Sequence, residues 1–188
     1  SKQCLAGQWG LVDWPEEKLR QFILDLPMDE GFKDLLELSR QRGAKLVVVS
    51  DGLDLYLKPM LGQLGVEVCQ GPTCGGVECY VNRAFWRDGR IIVEFPYASE
   101  ICDLCANCKL EHLMRLRRQA RRVIYIGDGY SDRCPAKYAD VVFAKDHLAE
   151  ILAAEGVPFR QFERLSDVVN AMQEAWEAAG DLGDGAGL

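Results

Sequence analysis

The sequence has 188 residues, 48% of them hydrophobic and 27% charged, which is typical of a folded domain and excludes wholesale disorder. Its 22 Lys and Arg against 29 Asp and Glu give a net charge of −7. This balance disfavours binding to nucleic acid or to an anionic membrane. Because the chain shows no signal-peptide pattern and no apolar run of transmembrane length, we expect a cytoplasmic protein.

The first half of the chain predicts two helices and then a strand. One helix begins near Pro15 and ends at Pro27, with apolar residues at helical spacing between them. Asp29 is placed to cap a second helix, which ends at Gly43. The β-branched run at 45–50 predicts a buried parallel strand.

The remaining elements alternate between strands and helices. A hairpin is predicted around Asp88-Gly89, with strands at 81–86 and 90–95. Helices are predicted at 55–64, 110–117, 134–138 and 166–179, and strands at 66–69, 122–126 and 140–144. This alternation predicts an α/β fold with a mainly parallel sheet. We expect 180–188 to form a flexible tail.

Two strand ends carry residues suited to chemistry, since functional groups collect at the carboxyl ends of parallel strands. Ser50, Asp51 and Gly52 place a hydroxyl and flexible backbone N–H groups at a helix start, which suits a phosphate group. An ordinary Ser cap with a turn glycine is the competing interpretation. Asp128 and Asp132 follow another strand on a Gly-flanked loop, and their carboxylates could bind Mg²⁺. A simple capped turn would also explain that pair.

Three features of the chain resemble, in order, the second, third and fourth motifs of the haloacid dehalogenase superfamily. They are Ser50, Lys109 before a helix, and the sequence Gly-Asp-Gly-Tyr-Ser-Asp at 127–132. The stretch 127–145 and the cysteine-rich approach to Lys109 are similar to the phosphoserine-phosphatase-like branch. Within that branch the chain most resembles the hydroxy-keto-methylthiopentenyl phosphate phosphatases of methionine salvage. The phosphocholine/phosphoethanolamine phosphatases share a similar approach to the lysine.

The resemblance implies a Rossmann-like fold with a helical cap and a Mg²⁺-dependent phosphatase that acts on a small phosphorylated metabolite. On that pattern Ser50 and the backbone at Asp51 and Gly52 hold phosphate oxygens, and Lys109 neutralises developing charge. Asp128 is a catalytic metal ligand, and Asp132 ligates directly or through water. We expect 1–30 to be a partial helical cap and 31–179 to be the phosphatase core with a cysteine-rich insertion.

One family motif is absent from the sequence. The superfamily attacks its substrate with an Asp in an Asp-x-Asp-x-Thr motif at the end of a central first strand, and no such motif occurs here. The simplest interpretation is that the nucleophile and its strand lie upstream of Ser1. The chain as given is then expected to be inactive, with two open strand edges where the missing strand would lie. A natural non-catalytic remnant is the alternative.

The eight cysteines permit a second hypothesis from another class. Cys102, Cys105 and Cys108 have a spacing that could supply three ligands to structural zinc, with Cys74, Cys79 or His112 as the fourth. That arrangement would describe an inactive, zinc-stabilised binding domain. Reduced or partly oxidised thiols are the competing interpretation. For an active enzyme, phosphoserine and phosphocholine or phosphoethanolamine remain alternative substrates, and the sequence does not specify an oligomeric state.

Overall fold

The computed structural model describes residues 2–69, 76–102 and 104–180. Its helices are α1 (Lys2–Gly10), α2 (Glu16–Leu24), α3 (Gly31–Gln41), α4 (Asp54–Gln63), α5 (Lys109–Arg117), α6 (Arg133–Ala136), α7 (Asp146–Glu155) and α8 (Leu165–Gly180). Its strands are β1 (Val47–Leu53), β2 (Val68–Cys69), β3 (Val77–Arg87), β4 (Arg90–Glu94), β5 (Ile124–Gly127), β6 (Val141–Ala144) and β7 (Arg160–Gln161). No helix among these described residues is long and apolar enough to cross a membrane.

The chain divides into two compact units, and neither is continuous in sequence. The first unit combines 1–28 with 46–108, and the second combines 29–45 with 109–188. The tail predicted at 180–188 falls almost entirely outside the described residues.

The first unit is built on a four-stranded sheet with the order β1-β3-β2. The amino-terminal half of β3 pairs in parallel with both β1 and β2, and its second half pairs antiparallel with β4. The turn residues Asp88 and Gly89 have φ angles of 52° and 75°, as the two central residues of a type I′ hairpin turn require. The predicted hairpin is therefore confirmed, whereas the parallel half of β3 was not predicted.

Helices α1 and α2 pack within this first unit. Leu19 and Ile23 of α2 are buried with Leu53, Leu55 and Ile91 in one apolar cluster. Their spacing of four residues places both on one face of the helix. The helix predicted from Pro15 is confirmed as α2, and α1 was not predicted.

The second unit contains a three-stranded parallel sheet with the order β5-β6-β7. A cluster of Ala136, Val142, Ala144, Leu148 and Leu152 is buried against this sheet. Helices α3 and α8 pack against each other in the same unit. The predicted α/β fold with parallel strands is confirmed, but the described strands form two sheets rather than one.

The two strands expected to flank the missing strand each have an open edge among the described strands, as the sequence analysis predicted. β1 is the last strand of the first sheet and β5 is the last strand of the second. Every residue of β5, and all of β1 except Leu53, is only half-buried. Their apolar composition predicted full burial, which requires a neighbour on both sides, and each has one neighbour among the described strands.

Candidate active site

The loop after β5 is organised around the carboxylate of Asp132. Asp132 is only 2% exposed, at the end of a single 3-10 turn that begins at Tyr130. Its Oδ2 accepts hydrogen bonds from the backbone N–H groups of Asp128 at 3.2 Å and Gly129 at 3.0 Å. A Cβ on Gly127 would lie 2.8 Å from the Asp132 carboxyl carbon, so the loop can close over this carboxylate only because residue 127 has no side chain.

Lys109 and Asp132 form an ion pair in the second unit. The Lys109 Nζ donates to Asp132 Oδ1 at 2.7 Å, and the two side chains are 11% and 3% exposed. Tyr125 Oη donates to the same oxygen at 2.6 Å. Asp132 therefore accepts four hydrogen bonds, two on each oxygen, which matches the acceptor capacity of a carboxylate.

These donors determine the charge state of Asp132. Burial acts to raise the pKa of this carboxyl, but the charge of Lys109 and the hydrogen bonds from Lys109, Tyr125 and Gly129 outweigh it and lower the pKa below its ordinary value. Asp132 is thus ionised at neutral pH, and its charge holds the Lys109 ammonium in a fixed position.

Asp128 lies directly beyond β5 with an exposed side chain. It lines a cleft of about 450 Å³ together with Gly129, Asp146, His147 and Glu150. Three carboxylates in this lining give the cleft a strongly acidic character that favours a cation. The sequence analysis missed Asp146, His147 and Glu150 because it did not predict α7. Asp146 lies two residues after Ala144, the last residue of β6, and the strand-end rule could have identified it.

Ser50, Asp51 and Gly52 lie inside β1 in the first unit, where the register of its pairing with β3 shifts between Val49 and Leu53. We call this irregular segment the Ser50–Gly52 turn. Ser50 Oγ accepts a hydrogen bond from the backbone N–H of Gly52 at 3.0 Å. The Asp51 carboxylate accepts from the backbone N–H of Asn107 at 2.7 Å. One local hydrogen bond and one from a residue 56 positions later therefore hold the polar groups of this turn. That Asp128 faces Ser50 stays a prediction.

Two buried asparagines, which the sequence analysis missed, hold this turn. The Asn107 Nδ2 donates to the carbonyl oxygens of Ser50 and Tyr80, both at 2.9 Å. The Asn82 Nδ2 donates to the carbonyl oxygen of Asp51 at 2.7 Å. Both side chains are 0% exposed. Asn82 directly follows the apolar run Cys79-Tyr80-Val81, and this was the available signal, because a polar residue that is buried with such a run needs hydrogen-bond partners.

The cysteine cluster does not form the predicted zinc site. Cys102, Cys105 and Cys108 are thiols rather than disulfides, and the described part of the chain contains no group of three His, Cys, Asp or Glu residues that could hold a metal ion. Structural zinc is therefore unsupported. Cys74, a candidate fourth ligand, lies outside the described residues, and Cys69 is disulfide-bonded.

The chain is similar to proteins of a known family. Residues 12–175 match the model of the family described as "Putative Phosphatase". The chain is 28% identical over 145 residues to 2-hydroxy-3-keto-5-methylthiopentenyl-1-phosphate phosphatase of Exiguobacterium sibiricum, covering 76% of this chain and 62% of that protein. It is 30% identical over 156 residues to the enzyme of the same name from Bacillus pumilus, covering 81% of this chain and 64% of the relative. The chain thus spans less than two thirds of the length of either relative.

A solved structure shares the fold. The crystal structure of a phosphoserine phosphatase in its apo form superimposes with a TM-score of 0.64 at 22% identity, covering 87% of this chain and 76% of the other. The likeness supports the phosphoserine-phosphatase type of α/β fold predicted from the sequence. Because the family model spans most of the sequence, the chain belongs to the Putative Phosphatase family of phosphohydrolases.

Proposed function

We propose that the complete protein is a cytoplasmic Mg²⁺-dependent phosphomonoesterase that hydrolyses a small phosphorylated metabolite of methionine salvage. The observation that carries this proposal is the Lys109–Asp132 ion pair beside the exposed carboxylate of Asp128. A buried lysine that is held by a carboxylate can neutralise charge on a phosphoryl group. The names of the two relatives described above support the substrate class.

Each of the described residues has a different role in binding the phosphate group. The Ser50 hydroxyl and the backbone N–H groups of the Ser50–Gly52 turn would donate hydrogen bonds to the phosphate oxygens and orient them. Because the Asp51 carboxylate already accepts a hydrogen bond from Asn107, Asp51 would contribute its backbone N–H rather than its charge. Lys109 would offset the negative charge that a phosphoryl group carries during transfer.

Asp128 fits the role of a Mg²⁺ ligand. Its carboxylate is exposed in an acidic cleft, and hard cations prefer oxygen donors. Asp132 has its four acceptor positions occupied by protein donors. We therefore assign Asp132 the second role that the resemblance allows, contact with the metal through water. When bound, Mg²⁺ would polarise the phosphoryl group.

The attacking carboxylate would come from a segment that precedes Ser1 in the complete protein. In this scheme an Asp of that segment attacks phosphorus and forms an aspartyl-phosphate, while the P–O bond to the metabolite breaks and the second Asp of the motif protonates the departing alcohol. Water, deprotonated by the same second Asp, then hydrolyses the aspartyl-phosphate and releases inorganic phosphate and the free Asp. The apolar residues of β1 and β5 support an additional strand, since each lies at the end of its sheet. A further parallel strand could pair at either edge.

A paired assay tests the proposal. The 188-residue chain and a version extended upstream to include an Asp-x-Asp-x-Thr segment are compared with a generic phosphomonoester, with and without Mg²⁺. We expect Mg²⁺-dependent turnover only from the extended protein, and a sharp loss of turnover and Mg²⁺ dependence on Asp128→Asn. Turnover by the shorter chain, or full activity of that variant, contradicts the proposal.

A panel of substrates then identifies the metabolite. Hydroxy-keto-methylthiopentenyl phosphate is expected to give the highest kcat/KM in the extended protein, with phosphoserine, phosphocholine and phosphoethanolamine as the comparison set. A higher value for any of these three reassigns the substrate within the same chemistry.

A further inference from the structure

The side chain of Tyr56 approaches the phosphate-binding turn where Gly52 lacks a side chain. A Cβ built on Gly52 would overlap the Tyr56 hydroxyl oxygen, lie 2.8 Å from its ring carbon Cζ and lie 3.1 Å from Ser50 Oγ. The hydroxyl groups of Tyr56 and Ser50 therefore both lie close to the position that a side chain at residue 52 would occupy.

The ring of Trp9 holds the side chain of Tyr56 in this place. Tyr56 lies in the first turn of α4, and its ring stacks on Trp9 with 6.0 Å between ring centroids and 20° between planes. The phenol O–H carries a proton that can be donated to another group.

The surroundings keep the phenol protonated. Burial raises the pKa of Tyr56, and the nearby Asp51 carboxylate raises it further, although the Leu53 hydrogen bond acts in the opposite direction. A neutral phenol can donate to an anion without the repulsion that a phenolate would add. Hydrogen bonds to charged oxygens are also stronger than those between neutral groups.

We infer that the Tyr56 hydroxyl is a third hydrogen-bond donor to the phosphoryl group, beside Ser50 Oγ and the backbone N–H groups of the turn. The inference rests on the proposed function, because it assumes that the Ser50–Gly52 turn binds phosphate. This role adds a residue of α4 to the phosphate site. It also explains why residue 52 is a glycine, since any side chain there would displace the Tyr56 hydroxyl.

Calorimetric titration of the 188-residue chain with inorganic phosphate at constant ionic strength tests the inference. Tyr56→Phe removes one oxygen and keeps the ring that stacks on Trp9. We expect the dissociation constant for phosphate to rise about tenfold, as for a lost hydrogen bond to a charged group. Tyr138→Phe, the same change at an exposed tyrosine of the second unit, should leave it unchanged. Thermal melting confirms that each variant is folded at the temperature of the titration.

A Ser50→Ala variant separates failure of the inference from failure of the proposed function. If Ser50→Ala weakens phosphate binding and Tyr56→Phe leaves it unchanged, the phosphate site stands and the inference is overturned. If neither change affects binding, or if the wild-type chain binds no phosphate, the site at the turn and the inference both fail. Weakening by both substitutions supports the inference.

Discussion

Asp132 accepts four hydrogen bonds through two oxygens, and its partners explain why an acidic residue can be almost completely buried. Burying a carboxylate costs free energy unless donors replace its water shell. Here a lysine, a tyrosine and two backbone N–H groups replace that shell. The same contacts hold Lys109 and the loop that carries Asp128 in place.

Replacing Asp132 with Asn should destabilise the protein by about 3 kcal/mol, because the amide leaves the Lys109 charge unpaired and directs N–H donors toward other donors. Urea unfolding followed by circular dichroism measures the free energy of unfolding. Asp128→Asn is the matched control in the same loop, and its exposed side chain predicts a change below about 0.5 kcal/mol. Equal effects of the two changes would contradict the role given to Asp132.

Cys79 should not react with thiol reagents in the native protein. It is 2% exposed, and burial raises the pKa of its thiol to about 11, so the reactive thiolate is scarce at pH 8. Cys4 and Cys134 are exposed and should be alkylated first. Mass spectrometry after brief treatment with iodoacetamide gives the site of modification. If Cys79 were labelled as fast as Cys134, the Cys79 thiol would be accessible to solvent, which would contradict its buried position.

At the scale of elements, Asp29 joins two helices that are far apart in sequence. Its Oδ1 accepts a hydrogen bond from the backbone N–H of Gly31 at 3.0 Å, and its Oδ2 accepts from the N–H of Leu165 at 2.9 Å. These two N–H groups are the first of α3 and of α8, and helix starts leave such donors without helical partners. The N-cap residue of α3 is Glu30 rather than the predicted Asp29, although the Asp29 side chain does accept the first N–H of that helix. The contact with α8 was not predicted.

Removing this carboxylate with Asp29→Ala should lower the free energy of unfolding by about 1–2 kcal/mol, because each helix start loses a hydrogen-bond acceptor. Glu30→Ala is the control, since Glu30 makes no side-chain capping bond. Chemical denaturation of both variants measures the difference. If the Glu30 variant loses as much stability as the Asp29 variant, the capping contact is not the cause.

At the scale of the whole molecule, the free energy of unfolding should depend on pH in the acidic range because of the Lys109–Asp132 pair. Because the folded-state pKa of Asp132 is lowered, the pair contributes its full stability above the unfolded pKa of about 3.9. That contribution is lost as the pH falls through the folded pKa. The chain should therefore lose this stability only in acid below about pH 4.

The free energies of unfolding of the wild type and of Asp132→Asn, measured between pH 7 and pH 3, test this expectation. The difference between them should stay constant from pH 7 to about pH 5 and shrink below about pH 4. A difference that already shrinks near pH 6 would indicate that another group, such as a histidine, controls the acid response.

The sequence by itself determined the α/β class, most helices and the hairpin. It also determined that Ser50 belongs to the strand before α4, that Lys109 begins a helix and that Asp128 directly follows a strand. These features depend on local periodicity, turn chemistry and short motifs, all of which involve residues that are close together in the sequence. The tertiary structure alone decided which residues share a unit and which donors meet at Asp132 and Asp51. Tyr125 and Lys109 reach one carboxylate, and Asn107 reaches a turn 57 residues earlier, because folding brings distant backbone and side-chain groups together. No local pattern records these contacts, since each partner is an ordinary strand, loop or helix residue until the chain has folded.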